Sequence, residues 1–103
     1  MKYAISIIFS CFLAVSTVAE PAYTGDAVPS FLHIFSETGN AYVDHQSGYC
    51  NTDRFVLYTT HEKYDAVFSM LLSAQMAEKE VMIRFDGCVN DGDFGKIIGV
   101  YLK

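Results

Sequence analysis

Hydrophobic and polar positions along this chain change rhythm several times, and each change marks an element. Residues 4–15 are a mostly apolar run behind Lys2, followed by the small residues of Thr17-Val18-Ala19. A basic start, a short apolar stretch and a small-residue end have the form of a secretory signal peptide cleaved before Glu20. The run is short for a bilayer span, and no second such run follows it. The remainder, 20–103, is expected to be one small exported domain, secreted or periplasmic, with no membrane span.

From there the pattern is mostly of period two. Residues 20–29 hold both prolines and the turn-like Thr24-Gly25-Asp26, which predicts an extended arm. Residues 31–36 are apolar and β-prone, a first strand, and Glu37-Thr38-Gly39-Asn40 is a turn. A second strand over 41–45 leads into the loop Gln46-Ser47-Gly48, which delivers Tyr49 and Cys50. Residues 54–59 alternate, with Phe55, Val56, Leu57 and Tyr58 favouring a third strand. The period then becomes helical. Thr59-Thr60-His61-Glu62 has the form of a capping box. Tyr64, Val67, Phe68, Leu71, Leu72 and Ala74 fall on one face of a helix over about 62–78, with Glu62, Asp65, Ser69 and Ser73 on the other. Residues 80–86 alternate again, a fourth strand. A polar loop over 87–95 carries Cys88, and 96–102 is a fifth strand with Gly99 marking a bulge or bend.

The order β-β-β-α-β-β is that of the OB-fold, a small, partly open five-stranded barrel, and the chain is expected to be a mainly β, OB-fold-like domain. An open α+β sheet covered by the helix is the alternative.

Composition adds a staple. Of the three cysteines, Cys11 leaves with the leader, so Cys50 and Cys88 have one intramolecular pairing available in an oxidising compartment. Such a disulfide would stabilise a domain this small by roughly 4 kcal/mol on the chain-entropy model. The formal net charge is −5, and it becomes one unit more negative without Lys2. That balance disfavours nucleic acid and anionic membrane surfaces as partners. There is no Trp, but seven Tyr and eight Phe supply aromatic surface suited to recognition as well as packing.

Candidate chemistry is sparse. Asp86, Asp91 and Asp93 share one segment, but the EF-hand pattern of ligands is missing, so Asp91 and Asp93 are weak metal candidates beside a solvated Asn-Asp-Gly turn. His33, His45 and His61 have no paired ligand spacing. Asp93-Phe94-Gly95 matches a kinase triplet by chance, no Gly-x-Ser-x-Gly elbow occurs, and both remaining cysteines are needed for the disulfide. The expectation is a non-enzymatic protein without a cofactor and with no catalytic residues. Tyr42 and Tyr49, beside Asn40, Asp44 and Gln46, are the tyrosines best placed to bind a ligand.

Several short segments also resemble a known family. Tyr23-Thr24-Gly25-Asp26, a β segment, Thr38-Gly39, then Gly48-Tyr49-Cys50, and a helix followed by Val81-Met82-Ile83-Arg84, are similar to the pentameric B subunits of subtilase-cytotoxin and typhoid-toxin type. Leu71-Leu72-Ser73-Ala74 and Gly87-Cys88 also resemble short exported Gram-negative proteins. The chain departs from those B subunits in its lack of Trp, its shorter length and its single cysteine pair. The resemblance implies an OB-fold, a homopentamer and binding of a cell-surface glycan, with Ser30 and His33 both near the place of the family's sugar-contacting serine. The alternative is a periplasmic protein that binds or inhibits another exported protein and takes no sugar.

Overall fold

The computed structural model describes residues 21–103, so the leader, its cleavage point and Cys11 lie outside the described residues. The elements are β1 (Ala22–Tyr23), β2 (Ser30–His33), β3 (Ala41–Asp44), β4 (Arg54–Leu57), α1 (Tyr64–Ala77), β5 (Val81–Val89) and β6 (Phe94–Leu102). The strands form one six-stranded sheet in the order β1-β5-β6-β4-β3-β2. Neighbours are antiparallel except β4 and β6, which run parallel through Phe55↔Gly95 and Val56↔Lys96. Among the described residues the fold is mainly β with a single helix.

The expected five-stranded barrel is corrected to an open sheet of six strands, whose edges are β1 and β2. The extra strand comes from the arm. Ala22 and Tyr23 pair with Phe85 and Arg84, Thr24 N–H donates to Ile83 O, and Thr24 Oγ1 accepts from Ile83 N–H. Ala27 then exchanges two backbone hydrogen bonds with Val81. Nothing in the local composition of 20–29 favours a strand; β5 imposes it by offering an unpaired edge whose amides need partners.

Alternation decides the rest. On β3 and β4, Ala41, Val43, Phe55 and Leu57 point inward and are essentially inaccessible. Val81, Ile83 and Phe85 of β5, with Ile97 and Val100 of β6, complete that face. Helix α1 lies against it through Val67, Leu71 and Ala74, with Tyr64 and Phe68 packed at its border. The helix begins at Tyr64, two residues after the expected start near 62, and its N-cap lies four residues beyond Thr59, the cap that the capping pattern implies. Lys63 is its N-cap and no side chain caps it. Thr59 is held elsewhere, its N–H donating to Asn40 Oδ1. At the other end Glu78 takes a left-handed conformation and closes α1 by donating its N–H to the Gln75 carbonyl.

The segment expected to be a long polar loop, 87–95, is mostly hairpin. Strand β5 continues to Val89, β6 starts at Phe94, and only residues 90–93 turn. Asn90, Asp91 and Gly92 all have positive φ, at 57°, 59° and 88°, a conformation that Asn, Asp and Gly tolerate best. Gly95 is required for a different reason: a Cβ there would sit 2.5 Å from the Phe55 ring. The ladder shifts register opposite Ile97 and Gly99, where a bend was expected. Cys50 and Cys88 form the disulfide, with Cα atoms 5.7 Å apart, tying the approach of β4 to β5.

Candidate functional site

The outward positions of the same strands build an aromatic surface. On β3 and β4 these positions are Tyr42, Asp44, Arg54 and Val56, with Tyr42↔Val56 and Asp44↔Arg54 in register. Val56 is only 1 % exposed although it points away from the core, flanked by Tyr42 and Lys96 on the neighbouring strands. It forms a floor, and rings surround it. Tyr42 stacks on His33 with centroids 5.6 Å apart, meets Phe35 at 5.0 Å, and takes the edge of Phe94 at 5.5 Å. Phe31 lies 4.5 Å from His33, tilted against its ring.

Two of these rings are poorly covered. Phe35 is 71 % exposed and Phe31 60 %, although each contacts another ring. Leaving such rings in water costs what burial would gain, about 2 kcal/mol each. Phe31 is strained as well. Its φ is +54°, a genuine outlier for a bulky residue, at a register shift between Ser30 and His33. The twist turns its ring under the Arg54 guanidinium, 5.1 Å from the ring centroid. Strain of this kind persists only where the surroundings enforce it, and it clusters at functional sites.

The polar edge of the platform is an ion pair. Arg54 donates Nε–H to Asp44 Oδ1 at 2.7 Å and Nη2–H to Asp44 Oδ2 at 3.2 Å. The hydrogen bond to Asp44 also raises the Arg54 pKa above its ordinary value, with Asp44 and Asp53 charges adding to it. His33 Nδ1 lies 2.7 Å from the Phe31 carbonyl, which can only accept, so Nδ1 carries a proton and donates it there. Beside Phe94, a shallow cavity of about 250 Å³ is bounded by Thr52, Asp53 and Arg54.

Of the candidates named from the sequence, His33 and Tyr42 meet in this platform and Ser30 lies at its margin, paired across the ladder with Asp44. Tyr49 does not belong to it. Its ring meets the edge of Phe85 and its hydroxyl accepts from Gly25 N–H, so it holds the arm down. Phe31, Phe35, Arg54 and Phe94 are platform members that sequence reasoning missed. The spacing Phe31-x-His33-x-Phe35 was the available signal, since alternate residues share a strand face.

The acidic turn folds on itself. Asn51 Nδ2 donates to Asp93 Oδ1 and to the Asp91 carbonyl, and Thr52 Oγ1 donates to the Asp93 carbonyl. Among the described residues no three His, Cys, Asp or Glu side chains converge as metal ligands, so Asp91 and Asp93 are not brought into one. His61 is spent on structure: Nδ1 accepts from Lys63 N–H, so Nε2–H donates to the Ile98 carbonyl.

A second aromatic patch lies on the same outer face at the opposite end. Tyr23 and Tyr101 are 5.8 Å apart, Arg84 sits over the Tyr23 ring, and with Met82 and Thr24 they border an open hollow of about 410 Å³. No described helix is long and apolar enough to cross a membrane. Comparison of the chain with protein-family models, with curated proteins and with solved structures gives no match.

Proposed function

We propose that this protein is an exported, non-enzymatic binding module that holds a glycan on the outer face of β2, β3, β4 and β6. The observation that carries this reading is the platform itself: exposed Phe35 and Phe31 beside Tyr42 and Phe94, over a buried Val56, with a polar fork at the rim. Sugar rings pair one C–H face with aromatic rings and their hydroxyls with polar side chains, and small-molecule sites combine the same two ingredients.

The topology supports the reading. Strands β2-β3-β4-β6-β5 lie in sequence across the sheet with α1 between β4 and β5, an arrangement consistent with an OB-type module. In OB-folds the face of the second and third strands, and the loops joining strands one to two and four to five, take up oligosaccharides and oligonucleotides. The corresponding places here are β3 and β4, the segment 34–40 that carries Phe35, and the turn 90–93 next to Phe94. The acidic charge weighs against oligonucleotides. Kinship with the pentameric toxin B subunits, and a homopentamer, belong to the same proposal and rest on the short segments named above.

The test is a glycan array probed with the oxidised protein lacking residues 1–19, beside Phe35→Ala and Tyr42→Ala. Retained glycans that both variants lose support the reading; an array that stays empty, or is unaffected by either variant, overturns it. The second reading, a module that binds an exported protein or a further copy of itself, draws on the Tyr23–Tyr101–Met82 patch. Light scattering after gel filtration addresses self-association: a mass near five subunits favours the pentamer, and a monomer removes it.

A further inference from the structure

We propose that acid releases the arm, residues 22–27, from β5 while the rest of the sheet stays folded, and that His45 is the trigger. The arm is gripped by the loop that follows β3. His45 donates from Nε2 to the Val81 carbonyl at 2.8 Å, the same carbonyl that accepts the Ala27 N–H. Gln46 Oε1 accepts the Gly25 N–H at 2.9 Å, and Gln46 Nε2 donates to the Asp26 carbonyl. The Tyr49 hydroxyl accepts from the same Gly25 N–H, and Lys103 Nζ lies 3.5 Å from Asp26 Oδ2. Of these grips only the imidazole has an ordinary pKa that places its change of charge between pH 5 and 8. Glycan binding plays no part in this device.

His45 loses its place when it gains a proton. Its Nε2 proton is committed to the Val81 carbonyl, and its Nδ1 is buried without a hydrogen-bond partner. A proton added at Nδ1 is a second donor with nothing to receive it and a charge held out of water, and both are costly. The neighbouring groups do not reverse this. On β4 the ring meets the edge of Phe55, which carries no charge. Asp44 and Arg54 point to the opposite face and pair with each other, and Asp53 lines the cavity beside Phe94. Glu80, next to Val81 in the chain, accepts the Lys103 N–H through its backbone carbonyl. On the arm Asp26 attracts the proton, as do the Val81 and Ala27 carbonyls, but burial outweighs all three. The ring finds relief by turning into water, which takes one hydrogen bond from Val81 and weakens the bridge to Ala27. Little else holds the arm, since among residues 22–27 only Thr24 is buried. A segment with so few buried contacts opens by itself, ahead of the core.

Hydrogen exchange of the oxidised protein decides it, followed by NMR at pH 7.5 and pH 5.5 and expressed as protection factors, which divide out the intrinsic effect of pH. The amides of Thr24, Ala27, Val81 and Ile83 join the arm to β5 and report its opening. Their protection is expected to fall severalfold in acid, with about tenfold as the ceiling that an ordinary His pKa of 6.5 sets over this range. Amides of β3, β4 and α1 are expected to keep theirs. His45→Gln keeps a donor for Val81 and has no proton to gain, so the fall should vanish. Gln46→Ala should lower the four factors alike at both pH values and leave the acid step in place. A fall shared by the whole sheet, a step that survives in His45→Gln, or no step in the native protein overturns the proposal. Should His45→Gln fail to fold, the ring resonances of His45 in the native protein decide: a titration midpoint below 6.5 supports the trigger, and one at or above 6.5 refutes it.

Discussion

The two faces of β3 and β4 are made by the same eight residues and could hardly differ more. Inward, Ala41, Val43, Phe55 and Leu57 are all at 0–1 % exposure and sit in a continuous apolar cluster. Outward, Tyr42 and Asp44 face Val56 and Arg54, and rings from β2 and β6 crowd around them without being covered. The inner face is satisfied: its area is out of water and its neighbours are fixed. The outer face is unfinished, because it keeps exposed rings and a left-handed Phe31 that a purely structural surface would not need. Stability and the proposed binding are thus divided between alternate residues of the same strands.

Substitutions can break that division, beginning with the largest effect. Phe55→Ala empties the centre of the inner face, where the ring meets Phe85 and His45, and is expected to destabilise by about 4 kcal/mol in denaturant unfolding. Cys50→Ser with Cys88→Ser opens a loop of sequence separation 38, with an expected loss of about 3–4 kcal/mol by the same measurement. Gly95→Ala drives a methyl into the Phe55 ring and is expected to cost about 1–3 kcal/mol.

A smaller effect depends on pH. His45 donates from Nε2 to the Val81 carbonyl, while its Nδ1 is buried without a hydrogen-bond partner. Burial lowers its pKa below 6.5, against the opposing pull of the Val81 and Ala27 carbonyls and of Asp26. A base with a lowered pKa in the folded state leaves the unfolded chain binding more protons, so its contribution is complete above 6.5 and is lost as pH falls below it. Unfolding of the native protein and His45→Gln at pH 7.5 and pH 5.5 should show a steeper acid loss for the native protein; parallel losses would refute the assignment. The smallest effect on stability is expected at Phe35→Ala, within about 0.5 kcal/mol, because the ring is largely in water. That same variant should lose glycan binding, and a protein that is both destabilised and still binding would collapse the contrast between the faces.

Legibility in the sequence follows the same division. The inner face was readable because burial enforces a period: Val81, Ile83 and Phe85 alternate, and Val67, Leu71 and Ala74 recur with helical spacing. The disulfide followed from cysteine arithmetic alone. Strand β1 was not readable, since two residues carry no period and their pairing is set by β5. The helix start was misplaced because Asn40, distant in sequence, takes the Thr59 amide that a capping box leaves for its own glutamate. Half of the platform was missed for a related reason. Exposed rings obey no burial rule, and Phe94 reaches Tyr42 only because β4 and β6 run side by side. Tyr49 looked like a binder from its polar neighbours, yet the fold turns it against Phe85.

The two edges of the sheet, β1 and β2, are consecutive in the chain, joined only by residues 24–29. One short segment therefore guards both ends of the ladder. Thr24 and Ala27 are anchored on β5, and beyond Pro29 the chain passes to β3. A single protease nick between Gly25 and Val28 would sever β1 from the rest of the sheet and leave β2 tethered only through its link to β3. Their release would uncover two unpaired strand edges at once, which is the condition for edge-to-edge aggregation. Resistance of the folded sheet to proteolysis thus hinges on six residues, of which only Thr24 and Pro29 are buried.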